Sequence, residues 1–309
     1  MSTLLLALLF SETFFTHLCL FYIKTCYYEC MKLTVLVDNN TLIDHYFIGE
    51  PAVSYFIEAD DKRILFDVGY SDAFLKNAQK LRIDLLNLDY LVISHGHLDH
   101  MWGLDALLRL YSEASIEGRE VRKPTLIIHP RTFNSRPRTW RGGSGSLVSE
   151  ERLSQYFTIQ RIEEPLQLTD NLVCLPNIPK SNDFELKTPF SKVRVDGQDV
   201  DDYMEDEIAI AYKSKDGLVV SNPCSHRGIC NTIEYAKSVC KEKRIADVVC
   251  GFHLQNPSKE VLDGTVAYFA QHTPAALHPC HCTDLRSKVA LSAVADLQEV
   301  GSGLTLECI

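Results

Sequence analysis

The stretch Leu91–His100 reads LVISHGHLDH, placing three imidazoles and one carboxylate within six residues of a chain that has only 11 histidines. His95 and His97 flank Gly96. In an extended or turning segment both rings can point to one side, and the missing side chain between them lets an ion or a substrate sit close. Asp99 and His100 follow, just before a helix expected over Gly103–Tyr111. A natural division puts the His95/His97 pair on one ion and the Asp99/His100 pair on its neighbour. Such donors suit Zn²⁺, Mn²⁺ or Fe, so the expected cofactor is one or two divalent ions per chain, zinc foremost.

Two later segments offer further donors. SNPCSHRGI, at 221–229, follows a strand-like run and carries His226 at its end. LHPCHCTD, at 277–284, holds His278 and His281; His281, between two cysteines, is the better candidate. Each segment also reads as an ordinary buried thiol or surface histidine. Between them and the first motif, RTFNSRPRTWRGGSGSLVS is rich in Gly, Ser, Arg and Pro and reads as a loop or lid. Its Arg136, Arg138 and Arg141 could meet a phosphate through forked hydrogen bonds, or form a solvated loop face. Trp140 could cover a flat ring.

These residues need a scaffold. Apolar, β-rich runs predict strands over Lys32–Val37, Val53–Ile57 and Lys62–Val68, the last two as a hairpin turning at Asp60-Asp61. Leu88–Ile93 is apolar throughout, the pattern of a strand buried on both faces. Thr125–Ile128 and Ala246–Cys250 read as strands, and Lys215-Asp216-Gly217 as the turn of a hairpin joining Ile208–Tyr212 to Leu218–Ser221. Helical spacing marks Phe74–Leu81, Gly103–Tyr111, Thr232–Cys240 and Val261–Gln271. Asn177–Glu207 is polar, Asp-rich and weakly patterned.

At 309 residues and 46% hydrophobic composition, the chain can bury a sizeable core. Its net charge of -10 argues against a nucleic-acid partner. The 11 cysteines are irregularly spaced and below disulfide-scaffold density, which fits a reducing compartment and a cytoplasmic location. The first 30 residues are mostly apolar but interrupted by Glu12 and His17, whereas a membrane span needs about 20 predominantly apolar residues. They read as an extension outside the fold or as a weak anchor. The first is favoured because Met31 opens MKLTVLVD, a strand of the domain expected over 31–309.

SHGHLDH at 94–100 resembles the His-x-His-x-Asp-His signature of the metallo-β-lactamase superfamily. With ILFDVG at 64–69, CSHRGI at 224–229, GFHL at 251–254 and CHCTD at 280–284, the chain is similar to one subgroup. Its members are like the archaeal 7,8-dihydropterin-6-methyl-4-(β-D-ribofuranosyl)-aminobenzene-5'-phosphate synthase. The resemblance implies an α+β fold, a four-layer αββα sandwich with metals at one sheet edge. It implies His95 and His97 on one metal, joined by His226 there or near both metals, and Asp99, His100 and His281 on the second. Asp67 would support the motif from behind, and His253 would act on the substrate or as a proton donor. No bridging aspartate is evident. NPCSH stands in its place, which raises Cys224 as a ligand, and Asp284 replaces a glycine, which could alter substrate charge preference.

Two chemistries share such a cluster. One is synthase-like action on a small phosphorylated or pterin-like substrate, the metals offsetting anionic charge that the protein's own charge would repel. The other is hydrolysis of esters, lactones or phosphoesters, with Asp99 orienting the water. A non-catalytic metal-binding scaffold is the third reading. Oligomeric state is not legible. If residues 1–30 stand outside the fold, a chain of Met31–Ile309 will match the full chain in circular dichroism and metal content. Failure of only the shorter chain to fold overturns the expectation.

Overall fold

A computed structural model describes residues 30–139 and 142–307. Most of the apolar N-terminal segment, with Trp140 and Arg141, lies outside the described residues. The first half runs β1 (Lys32–Val37), β2 (Ser54–Ala59), β3 (Lys62–Phe66), α1 (Ala73–Lys80), β4 (Tyr90–Val92), α2 (Leu98–Met101), α3 (Leu104–Ile116) and β5 (Thr125–Ile128). It continues through β6 (Arg136–Thr139), β7 (Gly142–Ser144), α4 (Glu150–Ser154) and β8 (Thr158–Arg161). The second half runs β9 (Leu166–Gln167), β10 (Leu172–Pro176), β11 (Ser191–Val195), β12 (Gln198–Asp202), β13 (Ile208–Ser214) and β14 (Gly217–Asn222). It closes with α5 (Ile229–Cys240), β15 (Ile245–Gly251), α6 (Lys259–Gln271), β16 (Ala276–Cys280), α7 (Leu285–Leu291) and β17 (Thr305–Leu306).

Two sheets form the centre, ordered β17-β1-β2-β3-β4-β5-β8 and β16-β15-β14-β13-β10-β9. Alternation along each strand explains the layering. Leu33, Val35, Tyr55, Ile57, Ile64 and Phe66 point inward, where they meet Cys174, Ile210, Tyr212 and Val249 of the other sheet. The residues between them, Leu36, Phe56 and Leu65, face outward onto Phe74 of α1 and Leu104 and Leu107 of α3. On the far side Val220, Val248 and Leu277 pack against Ile233, Phe269 and Leu291 of the last three long helices. Three cores thus separate four layers, αββα. Both faces of every central strand are covered, so these strands read as continuous apolar runs.

The β2–β3 hairpin turns at Asp60 and Asp61, both at positive φ as a two-residue type I′ turn requires. The β13–β14 hairpin closes at Ser214 and Gly217, as expected. Asn177–Glu207 corrects the expectation of a weakly structured stretch. It holds the β11–β12 hairpin, which turns at Asp196-Gly197 and carries both residues at positive φ. Arg131–Ser149 is likewise not all loop, since β6 and β7 pair within it. Among the described residues no helix is long and apolar enough to cross a membrane.

Strands β3, β4, β5 and β8 are parallel, as are β14, β15 and β16. Their carboxyl ends open on the same edge of the sandwich. There the loop after β14 is tied down by Glu207, which precedes β13. Its carboxyl accepts from Asn222 Nδ2 at 2.7 Å and from the Arg227 backbone N–H at 3.0 Å. Burial pushes this carboxyl up from its ordinary 4.5 to about 8, against the pull of those hydrogen bonds. A carboxyl raised on folding contributes stability that is full below pH 4.5 and is lost as pH rises through about 8. Between those values, wild-type protein will lose about 1.4 kcal/mol per pH unit relative to Glu207→Gln in urea unfolding. Parallel pH profiles for the two proteins would refute this.

Candidate metal centre

Asp67 follows β3 in a left-handed conformation, φ 60°, with no exposed surface. Its carboxylate accepts from the Ser94 backbone N–H at 2.7 Å, from Ser94 Oγ at 2.6 Å and from His100 Nδ1 at 2.6 Å. Ser94 spends its hydroxyl proton on Asp67, so it accepts from His95 Nδ1, 2.9 Å away. Both imidazoles are thereby fixed with Nε2 bare and turned from the core. Across the cleft, His281 follows β16. Its Nδ1 donates to Asn39 Oδ1 at 2.9 Å and its backbone N–H to Asp38 Oδ1 at 2.8 Å, which leaves Nε2 3.4 Å from Asp99 Oδ2.

The rings then fall into two sets. His95, His97 and His226 stand mutually edge-on, with centroids 4.6, 4.8 and 4.8 Å apart. Asp99 lies 3.7 Å from His100 Nε2, and the His100 and His281 rings are 5.2 Å apart. Cys224 sits between the sets, its sulfur within 4.8 Å of His95 and His226 and also of His100 and His281. Burial holds His95, His97 and His226 well below the ordinary histidine range, so they stand neutral with lone pairs available. For Asp99, burial alone would raise the carboxyl, but the neighbouring His100 and His281 rings outweigh it and hold it low.

His100 Nε2 and both ring nitrogens of His226 are buried without a hydrogen-bond partner. Orphaned buried nitrogens are costly, and several converging on one cleft match the electron-pair donors that a divalent ion needs. The residues present fit the cofactor.

All six sequence-predicted donors, His95, His97, Asp99, His100, His226 and His281, come together here. His253 adjoins them, its ring 4.0 Å from that of His226. His278 does not; it lies within β16, paired through Nδ1 with Asp247 at 2.8 Å. Arg136 corrects the picture of a solvated lid. It is buried, with Nε on Asp202 at 2.8 Å and Nη2 on Asp206 at 2.7 Å, while Nη1 has no partner. Asp206 also accepts from the Gly96 N–H at 2.8 Å, so the guanidinium is held against the HGH turn. A Cβ at Gly96 would lie 2.2 Å from the Thr132 carbonyl and 2.6 Å from Arg136 Nη1. Arg138 contributes backbone to β6, but its side chain, like Trp140 and Arg141, lies outside the described residues. Asp284 caps α7 through the Ser287 N–H at 2.7 Å, so it serves the helix rather than substrate charge.

A pocket of about 390 Å³ opens over the cluster, lined by His97, Asp99, Arg136, Phe190, His226 and His253 among others. Phe190 was not anticipated. Its ring lies 5.3, 4.6 and 5.2 Å from those of His97, His226 and His253. The Asp-Gly turn of the following hairpin was the one sequence signal for its position. Larger concavities flank α3 around Asp105 and Arg109 and lie between Trp102, Phe133 and Ser146, and no histidine or cysteine lines them.

If this cluster holds the metal, His281→Ala will lose bound metal on gentle purification. His278→Ala, three residues earlier within β16 and paired with Asp247, will keep it. Elemental analysis of both variants decides; equal losses would remove His281 from the donor set.

The family model described as the metallo-beta-lactamase superfamily matches residues 48–154. An uncharacterized protein of Methanocaldococcus jannaschii is 29% identical over 264 residues, spanning 84% of this chain and 93% of that protein. The 7,8-dihydropterin-6-methyl-4-(beta-D-ribofuranosyl)-aminobenzene-5'-phosphate synthase of the same organism is 25% identical over 274 residues, spanning 84% and 89%. Among solved structures, Tm1679, a metal-dependent hydrolase of the beta-lactamase superfamily, superposes with a TM-score of 0.73 at 30% identity, covering 89% of this chain and 98% of that one. With this match along nearly the full length of both molecules, the four-layer fold and the clustered His-x-His-x-Asp-His motif, the chain belongs to the metallo-beta-lactamase superfamily.

Proposed function

We propose that the protein is a metal-dependent hydrolase of small anionic esters, phosphoesters foremost. The observation that carries this reading is Arg136 Nη1, a buried guanidinium N–H without a partner in the pocket that holds both donor sets. A permanently charged donor in that position suits an anionic oxygen of the substrate. Asp202 and Asp206 hold the fork rigid, so little side-chain entropy is lost on binding.

In this reading His95, His97 and His226 hold one ion, and Asp99, His100 and His281 hold a second, with zinc as the metal. When bound, such ions lower the pKa of water and polarise an ester or phosphoryl oxygen. The protein's own groups do the rest. Asp99, ionised at neutral pH, accepts a hydrogen bond from the attacking water and orients it. Phe190 walls the pocket with an apolar face. His253, at the rim, contacts the substrate. A non-catalytic scaffold gains no support from orphaned imidazole nitrogens beneath an open pocket. Likeness to the dihydropterin-linked synthase supports a second reading, a condensation on a flat-ring substrate. Phe190 favours it to the extent that its ring, 48% exposed, offers a stacking face.

The test is a metal-replete assay on phosphoesters, carboxylic esters and lactones, beside a dihydropterin donor with an aminobenzene acceptor. Water-dependent cleavage of an anionic ester is expected. Coupling without cleavage selects the second reading, and inactivity of fully loaded protein on every substrate overturns both. Arg136→Lys, which keeps a cation between the two aspartates but loses the fork, will raise KM for the anionic substrate about tenfold or more. Phe190→Ala will raise KM about tenfold with less effect on kcat. An unchanged KM in both variants would remove the pocket wall from recognition.

A further inference from the structure

Each donor set of three is complete without sulfur, since catalytic zinc sites commonly use three protein ligands and an open position. Three donors in the same cleft belong to neither set: Cys224, His253 and Cys282. They converge. The two sulfurs are 3.1 Å apart, and His253 Nδ1 lies 3.4 Å from Cys224 Sγ. All three ligating atoms fall within 4.8 Å of one another.

The fold builds this meeting point. Each residue follows the carboxyl end of one of three neighbouring parallel strands, β14, β15 and β16. The backbone is bent to achieve it. His253 takes φ 51°, uncommon for a residue with a side chain, and its N–H donates to Cys282 Sγ at 3.1 Å. Gly251 admits the approach, since a Cβ there would lie 2.8 Å from that sulfur and 2.2 Å from the Pro223 carbonyl. The other buried thiols differ. Cys280, for example, is held by the Tyr55 hydroxyl at 2.9 Å within the inter-sheet core. Cys224 and Cys282 instead line the open pocket.

We infer that Cys224, His253 and Cys282 form a sulfur-rich subsite for a thiophilic divalent ion, beside the two histidine-carboxylate sets. Two thiols and an imidazole are a donor combination that zinc uses with a fourth position open. Harder ions such as Mg²⁺ and Mn²⁺ disfavour sulfur. On binding, each thiol releases its proton to solvent and the thiolate ligates. The subsite therefore biases the centre toward zinc and does not depend on which bond the enzyme cleaves.

The experiment is a Cd²⁺ titration of the reduced full-length protein, followed by thiolate-to-cadmium charge-transfer absorbance and by elemental analysis. Wild type is expected to show the band. Cys282→Ser should lose at least half of it and hold one ion fewer, and His253→Gln should weaken the band-forming event about tenfold or more. Cys240→Ser, remote from the cleft, should match wild type. X-ray absorption of the zinc-loaded wild type needs no variant and should show sulfur scatterers at about 2.3 Å. Absence of sulfur from the zinc shell, or a band undiminished in Cys282→Ser, overturns the subsite. Either result leaves the hydrolase assay untouched, so the two readings stand or fall separately.

Discussion

The buried carboxylate of Asp67 is the constraint on which the centre depends. A charge with no solvent contact is tolerable only when hydrogen bonds replace its hydration, and Asp67 has three, from the Ser94 N–H, the Ser94 hydroxyl and His100. Each also orients a candidate metal donor. His100 is held directly, and His95 through Ser94. The left-handed backbone at Asp67 aims the carboxylate at the HGHLDH turn rather than along the strand, at a strain cost that these bonds offset. On the other sheet's side of the cleft, Asp38 and Asn39 hold His281 in the same manner, so carboxylate and amide groups from β1 and β3 aim imidazoles from both halves of the molecule.

How much of this was legible in the sequence follows from how local each signal is. HGHLDH is contiguous, so its chemistry could be read directly. The same holds for the strands that precede His226 and His281, where apolar runs end in a histidine. The αββα layering was an expectation only through the resemblance that these motifs carry; apolar strand runs by themselves say no more than that the sheets are covered on both faces. For Arg136 both an anion contact and a solvated loop face stayed open in the sequence, because the partners that bury it, Asp202 and Asp206, are over sixty residues away and sit in a stretch whose polarity suggested solvent. A guanidinium in a Gly/Ser-rich segment looks solvated until distant carboxylates are placed beside it. Phe190 escaped notice for a related reason: one aromatic residue before a hairpin has no periodicity to mark its face. Asp196-Gly197 announced that hairpin, but nothing local says what it packs over.

The chain's acidity finds a counterweight in the same place. The net charge is -10, and carboxylates crowd the centre, yet Asp202 and Asp206 are committed to Arg136 and Asp67 to Ser94 and His100. What faces the pocket is imidazole, sulfur, one ionised Asp99 and one guanidinium N–H. An acidic protein can thus present an anion-tolerant cleft without a basic surface, because the charges nearest the cleft are already engaged by groups behind it.

The donor sets straddle the sandwich. His95, His97, Asp99 and His100 belong to the first sheet's loops, while Cys224, His226 and His281 belong to the second's. An ion held by both would act as a cross-brace between two layers that also meet through apolar packing and a few polar contacts. Its binding free energy is added to the docking of the two sheets, by about 4 kcal/mol when free metal exceeds its dissociation constant a thousandfold. A disulfide of similar strength would be permanent once formed. This brace would instead tighten and slacken with metal supply, so the durability of the fold would follow the availability of the divalent ion.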